Sequence, residues 1–341
     1  MLKIQWRGKL TEYITAVNWS KTGDLAVSSA DGEVMLFRDT PQLLLSPNDT
    51  QSSGAQRAFG IDHLAFSPDS QFLAVGGQNG QVLIWRLSDL KLIDTLDWNL
   101  QWLENLAWHP QKNYLAFTQG RYVQIWDVET QDIITSLPFE NSTVLDFAWH
   151  PQGQYLAVAG DGGVKIWDSK DWLEEPIYLE TYAPAFKIKW AGYKDYIAIS
   201  CLDDTVMLWS DFDMLPWRLS GFSGKVRNLI WSKTIAENAP LLATSSRGNV
   251  LVWQKEKITE KGWSATILNI DDRIIQDLQF NPHNLLLAGG NEEGCLFLWE
   301  NEEQLMEDFI GIEGGFSCLQ WDFFGKKLAV GSDMGEIFIF M

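Results

Sequence analysis

Few side chains in this chain stand where they could act together as a reactive site. His109 and His150 occupy equivalent HPQ turns, with His283 in a looser counterpart and His63 elsewhere. Imidazoles so placed would hold a metal only if further ligands converged on them; no carboxylate follows at useful spacing, so turn residues are expected. The pairs Asp203–Asp204, Asp271–Asp272, Glu292–Glu293 and Glu302–Glu303 lack the alternating oxygen ligands of a calcium loop and suit solvated turns. Gly76–Gly77 and Gly289–Gly290 end apolar runs and precede no helix, which argues against a phosphate cradle. Cys201, Cys295 and Cys318 are unclustered and lie in or beside apolar runs, as free thiols acting as small hydrophobes would. No Ser-His-Asp or Cys-His arrangement has supporting context. No catalytic residue, metal site or cofactor is expected.

Recognition chemistry is easier to find. Trp98 and Trp102 flank the linker DWNLQW, and an exposed indole is costly unless a neighbour or partner covers it. Tyr13, Asp62, Glu104, Phe186, Lys225, Arg227 and Gln276 stand near the starts of comparable apolar runs. Their mixture of aromatic and charged groups suits contact with a protein or peptide. The polar insertion 40–58 is a further candidate docking segment, whereas 254–263 reads as a solvated outer loop.

These residues depend on a repeated element for their placement. An apolar run ending in Trp or Phe recurs eight times, at Trp19, Phe66, Trp108, Trp149, Trp190, Trp231, Phe280 and Trp321. The successive spacings are 47, 42, 41, 41, 41, 49 and 41 residues. A period in the low forties marks a propeller blade, a small sheet unable to bury its own faces alone. Residues 142–168, STVLDFAWHPQGQYLAVAGDGGVKIWD, show the scheme: an alternating strand, a Pro/Gly turn, a buried strand, a Gly turn, and a third strand ending in Trp.

A fourth run follows most copies: KLIDTLDW, DIITSLPF, EPIYLET, LPWRLSG, SATILNI and LMEDFIG, with LLLS at 43–46 the least regular. The last copy ends on its third strand, EIFIFM, while LKIQW precedes the first copy. If that first strand completes the last blade, no free sheet edge is left. The expectation is all-β: an eight-bladed propeller of four-stranded antiparallel blades in one domain, 1–341, with a seven-bladed ring as the alternative. Twelve of the eighteen tryptophans end first or third strands and are expected to be core.

The Trp-Asp pairs at 126–127 and 167–168, the HPQG and FSPD turns and the Asp-bearing turn before the third strand resemble the WD-repeat β-propellers over essentially the whole chain. The resemblance implies an interaction platform, rarely an enzyme, and a partner-holding face where the linker containing Trp98 and Trp102 opens. The Gly-His pair usual in that family is missing from every copy, and Trp-Asp decays to Trp-Arg, Trp-Ser, Trp-Gln and Trp-Glu. Packing must therefore replace most of the family's buried polar network.

Bulk charge narrows the partner. With 45 acids against 26 bases the chain carries −19, which repels phosphate backbones and disfavours nucleic acid. The start, MLKIQWRGKL, reads as a strand, and no signal peptide or membrane span is found, so a cytoplasmic protein, monomeric by itself, is expected. The leading reading is a non-catalytic scaffold for one or more proteins or peptides. The rival is a cofactor- or metal-dependent enzyme with a site at the channel mouth, for which convergent ligands would be required.

Overall fold

The computed structural model describes residues 2–38, 40–46, 59–97, 102–192, 196–210, 212, 215–233, 239–257, 262–269, 273–300, 304–310, 312 and 314–341. Trp98, much of the 40–58 insertion and the acidic pairs Asp271–Asp272 and Glu302–Glu303 lie outside them. The described chain forms eight four-stranded sheets and contains no helix. Seven of these sheets are antiparallel meanders of sequence neighbours; all eight are numbered here as blades 1 to 8. Their first strands are Ile14–Trp19, Ile61–Phe66, Leu106–Trp108, Asp146–Trp149, Ala185–Trp190, Val226–Trp231, Ile275–Phe280 and Phe316–Trp321.

One blade breaks sequence order. Blade 8 takes its outer strand from the start of the chain: Ile4–Lys9 pairs antiparallel with Glu336–Phe340, with Trp6 opposite Ile339 and Lys9 opposite Glu336. The expected closure by the N-terminal strand is thus observed. The irregular LLLS segment is also a strand, Pro41–Leu45, paired with Val34–Phe37.

By packing, the chain falls into two compact units. The first holds blades 8, 1, 2 and most of blade 3; the second holds blades 4 to 7 apart from Glu293–Cys295. In both, burial follows the order of strands in the blade. Second strands such as Leu25–Ser29 and Ile197–Cys201 are buried along their whole length. Fourth strands such as Lys91–Asp97 and Ile177–Glu180 are largely exposed. The core therefore lies between consecutive blades, as where Ile14, Val17 and Trp19 meet Ala329, Ile337 and Ile339, or where Ile166 meets Ile188 and Trp190.

Eleven of the twelve repeat tryptophans are buried. The exception is Trp149, half-buried, which meets Trp172 edge-on at 6.0 Å. Within each unit the first-strand indoles also act as latches. Trp19 Nε1 donates to Gln320 O at 3.1 Å and Trp108 Nε1 to Ala65 O at 2.9 Å. Trp190 Nε1 donates to Ala148 O at 3.1 Å and Trp231 Nε1 to Lys189 O at 3.0 Å. Each acceptor is the residue just before the equivalent aromatic of the preceding blade. One bond of this kind contributes about 0.5–1.5 kcal/mol, beyond the burial of the ring itself.

Candidate functional site

The first strands are not the simple alternating strands that the sequence suggests. Six of them slip register against their second strand, between Ile14 and Ala16, Ile61 and His63, Ala185 and Lys187, Val226 and Asn228, Ile275 and Asp277, and Phe316 and Cys318. The residue left outside the ladder is Thr15, Asp62, Phe186, Arg227, Gln276 or Ser317. A bulge of this kind adds one residue to one strand, bends it, and re-aims that residue's side chain. Four of the six bulged residues are sequence-predicted site residues: Asp62, Phe186, Arg227 and Gln276.

The signal was present in the spacing. Inward-facing apolar residues fall at Ile61, Leu64 and the half-buried Phe66, at Ala185, Ile188 and Trp190, and at Val226, Leu229 and Trp231. A step of three followed by a step of two breaks strict alternation, and the extra residue belongs to the bulge. Thr15 and Ser317 share this pattern and were missed because their short polar side chains look like ordinary surface.

Blades 3 and 4 depart from the expectation in another way. Their first strands begin only at Leu106 and Asp146, later than the sequence runs suggest. In blade 3 the ladder is replaced by a side chain: the backbone N–H groups of Glu104 and Asn105 donate to Thr118 Oγ1 at 2.8 and 3.1 Å.

In the first unit the structure brings Tyr13, Asp62 and Glu104 together. Burial raises the Tyr13 hydroxyl above its ordinary value, helped by the nearby charges of Cys318, Asp333 and Asp62. Burial also raises the Asp62 carboxyl, against a lowering hydrogen bond from Gln78. The Glu104 carboxyl is raised by burial and then by the negative charge of Asp62. Trp102 stands beside them in sequence and is 56% exposed, while its neighbour Leu103 takes the buried place, at 2%. His63 Nε2 lies 3.0 Å from Leu103 O, pinning that loop to blade 2. The cluster is thus acidic and aromatic.

The second unit presents a different row. Phe186 is half-buried, Lys225 and Arg227 are exposed, and Gln276 is half-buried on the next blade, where its backbone oxygen accepts from Asn228 Nδ2 at 3.3 Å. Tyr182, 83% exposed in the loop entering blade 5, went unrecognised in the sequence. Arg218 covers its ring at 5.7 Å and pairs with Asp203 at 3.1 Å. This row is aromatic and basic.

The other potentially reactive groups have structural duties. His109 Nδ1 accepts from the N–H groups of Gln111 and Lys112, both at 3.0 Å, and His150 Nδ1 accepts from Gln152 N at 3.2 Å. Ser20, Ser67, Ser232, Asn281 and Asp322 hold the same position after the first aromatic and accept turn N–H groups in the same way. His109 and His150 are therefore turn caps. Burial pushes the Cys201 thiol up to about 12, which keeps it un-ionised and unreactive at neutral pH. Among the described residues, no group of three or more His, Cys, Asp or Glu could hold a metal ion.

Two family models match the sequence. The anaphase-promoting complex subunit 4 WD40 domain matches residues 17–102, and the WD domain, G-beta repeat, matches residues 132–168. These matched residues are WD repeats, and the fold that carries them is a β-propeller. Its eight-bladed form agrees with solved structures at low identity. The crystal structure of the C-terminal WD40 domain of Sif2 superposes with a TM-score of 0.79 at 14% identity, covering 100% of this chain and 98% of that one. The computationally designed Ika8 protein superposes at 0.76 with 18% identity, covering 97% and 96%. At such identity these likenesses speak for the fold alone. No curated protein sequence matches the chain. WD-repeat propellers are generally interaction scaffolds. No helix among the described residues is long and apolar enough to cross a membrane.

Proposed function

We propose that this WD-repeat propeller is a non-catalytic scaffold that holds partner proteins on the bulged ends of its first strands. The observation that carries this reading is the recurrence of the bulge at one position in six blades, each time releasing a side chain from the ladder. The bulge at Thr15 serves packing, since its hydroxyl bonds Ser28 and reaches Ile61 O of the next blade, whereas the larger side chains released at Asp62, Phe186, Arg227 and Gln276 give a binding surface groups set on a rigid base. Tyr13, Asp62, Trp102, Glu104, Phe186, Lys225, Arg227 and Gln276 are the contact residues in this reading. Trp98 is retained from the sequence alone. The partners are proteins or peptides, not nucleic acid, met in the cytoplasm by a monomeric propeller.

Site-specific photo-crosslinking tests it. A photoreactive amino acid placed at Phe186 or Trp102 in the native cell is expected to capture defined partner chains. The same group at Lys112, in a turn at the far end of a first strand, is expected to capture none of them. Identical capture from all three positions, or none from any, overturns the proposal.

A further inference from the structure

A second surface lies at the opposite end of the first strands, among the turn caps of the first unit. Here the surface hollows into a groove of about 570 Å³ whose lining includes Thr22, Arg38, Phe324, Lys326, Lys327 and Met341. Two carboxylates also reach it, and both are already engaged. Asp24, 8% exposed, accepts from Arg38 Nε at 2.9 Å. Asp322, 4% exposed, accepts the backbone N–H groups of Lys326 and Lys327 at 2.6 and 2.9 Å. Among the side chains that reach solvent from the groove, Lys326 and Lys327 are cationic and Phe324 and Met341 are apolar. Lys326 is exposed and its ammonium has no ion pair among the described residues, while Lys327 Nζ lies 5.8 Å from the Trp19 ring. Phe324 and Met341 are each 52% exposed, and Phe324 is braced edge-on by Phe323 at 5.6 Å.

On a chain carrying −19, a cationic hollow with apolar walls is the surface least suited to simple solubility. We propose that it binds an acidic peptide segment of a partner protein, with a large apolar residue between its carboxylates. The apolar residue would lie against Phe324 and Met341, and the carboxylates would meet Lys326 and Lys327, since Arg38 is held by Asp24 and by Leu87 O. Charge complementarity selects the peptide's sign. Concavity selects an extended segment over a lipid surface, which the chain's net charge also repels when the lipid is anionic. This site is independent of the bulged face and stands whether or not that face binds a partner.

The probe is a fluorescein-labelled hexapeptide of two glutamates, leucine, phenylalanine, aspartate and glutamate, titrated with the full chain and followed by anisotropy. Saturable binding is expected. Replacing the peptide's acids by their amides is expected to weaken it about tenfold, from a few-fold for each of two partly exposed ion pairs. The double variant Lys326→Glu, Lys327→Glu is expected to lose binding of the acidic peptide to a similar extent. The amide peptide uses the unaltered protein, so the test stands even if the variant misfolds. Failure of the acidic peptide to bind overturns the proposal, as does equal binding of acid and amide peptides. Binding that survives charge reversal in a normally folded variant overturns it too. Lysine-dependent sedimentation with phosphatidylserine vesicles, without peptide binding, would instead assign the groove to a lipid surface.

Discussion

Trp190 shows how one residue type serves two ends. Its ring fills the gap between blades 4 and 5, and its indole N–H reaches Ala148 O across that gap. Trp190→Phe keeps most of the burial and removes only the latch, so chemical denaturation should register a loss of about 1 kcal/mol. Trp190→Ala removes both and is expected to cost about 3–5 kcal/mol. At the bulged face, residue chemistry is electrostatic. The Asp62 and Glu104 carboxyls are held above their ordinary values, chiefly by burial. The folded state therefore binds these protons more tightly than the unfolded state. The linked stability is greatest below the ordinary carboxylate range and declines as pH rises through it. Asp62→Asn keeps an acceptor for Gln78 and removes the charge. Its melting temperature is expected to exceed the parent's by about 1 °C at neutral pH, a small effect because the site is partly solvated, and to match it near pH 3. An unchanged difference across that range would show that the carboxyl is not the cause.

At the scale of the blade, strand identity was legible and strand detail was not. The aromatic period and the Gly and Pro turns located all eight triplets, because turn chemistry and burial are local demands. The bulges escaped notice because one extra residue in six leaves the apolar count intact and moves only the register. Blade 3 was misjudged for a different reason: Thr118 lies across the strand pair and captures two N–H groups that a sequence run assigns to the ladder. Turn glycines carry backbone demands that can be tested. Gly163 has φ +151°, and a Cβ there would sit 2.2 Å from Leu179 O, between the third and fourth strands of blade 4. Gly163→Ala is expected to destabilise by more than about 1 kcal/mol, whereas Gly192→Ala, with nothing within 4 Å, should fall within about 0.5 kcal/mol of the parent. Parallel denaturant melts of the two variants decide between local strain and a general intolerance of added bulk.

For the molecule as a whole, charge governs behaviour more than any single contact. The net charge of −19 keeps copies apart at neutral pH, and the calculated isoelectric point is near 4.5. Light scattering is expected to stay low at pH 7 and to rise as pH approaches 4.5, where self-repulsion disappears. Scattering that peaks instead near neutrality would mean that apolar surface, such as Tyr182 and Trp102, dominates association.

The amino-acid sequence by itself favoured eight blades over seven, and it located the closing strand at the start of the chain and the burial of nearly all the repeat tryptophans. Those features follow from periodic hydrophobicity and from the cost of an unpaired edge, both written along the chain. Tertiary structure alone decided that Asp62 feels Glu104 and Tyr13, that Trp102 stays in solvent while Leu103 is buried, and that Lys326 and Phe324 share a groove with Arg38. Such neighbours come from different blades, so their meeting depends on the register and spacing of packed sheets, which no local run of residues encodes.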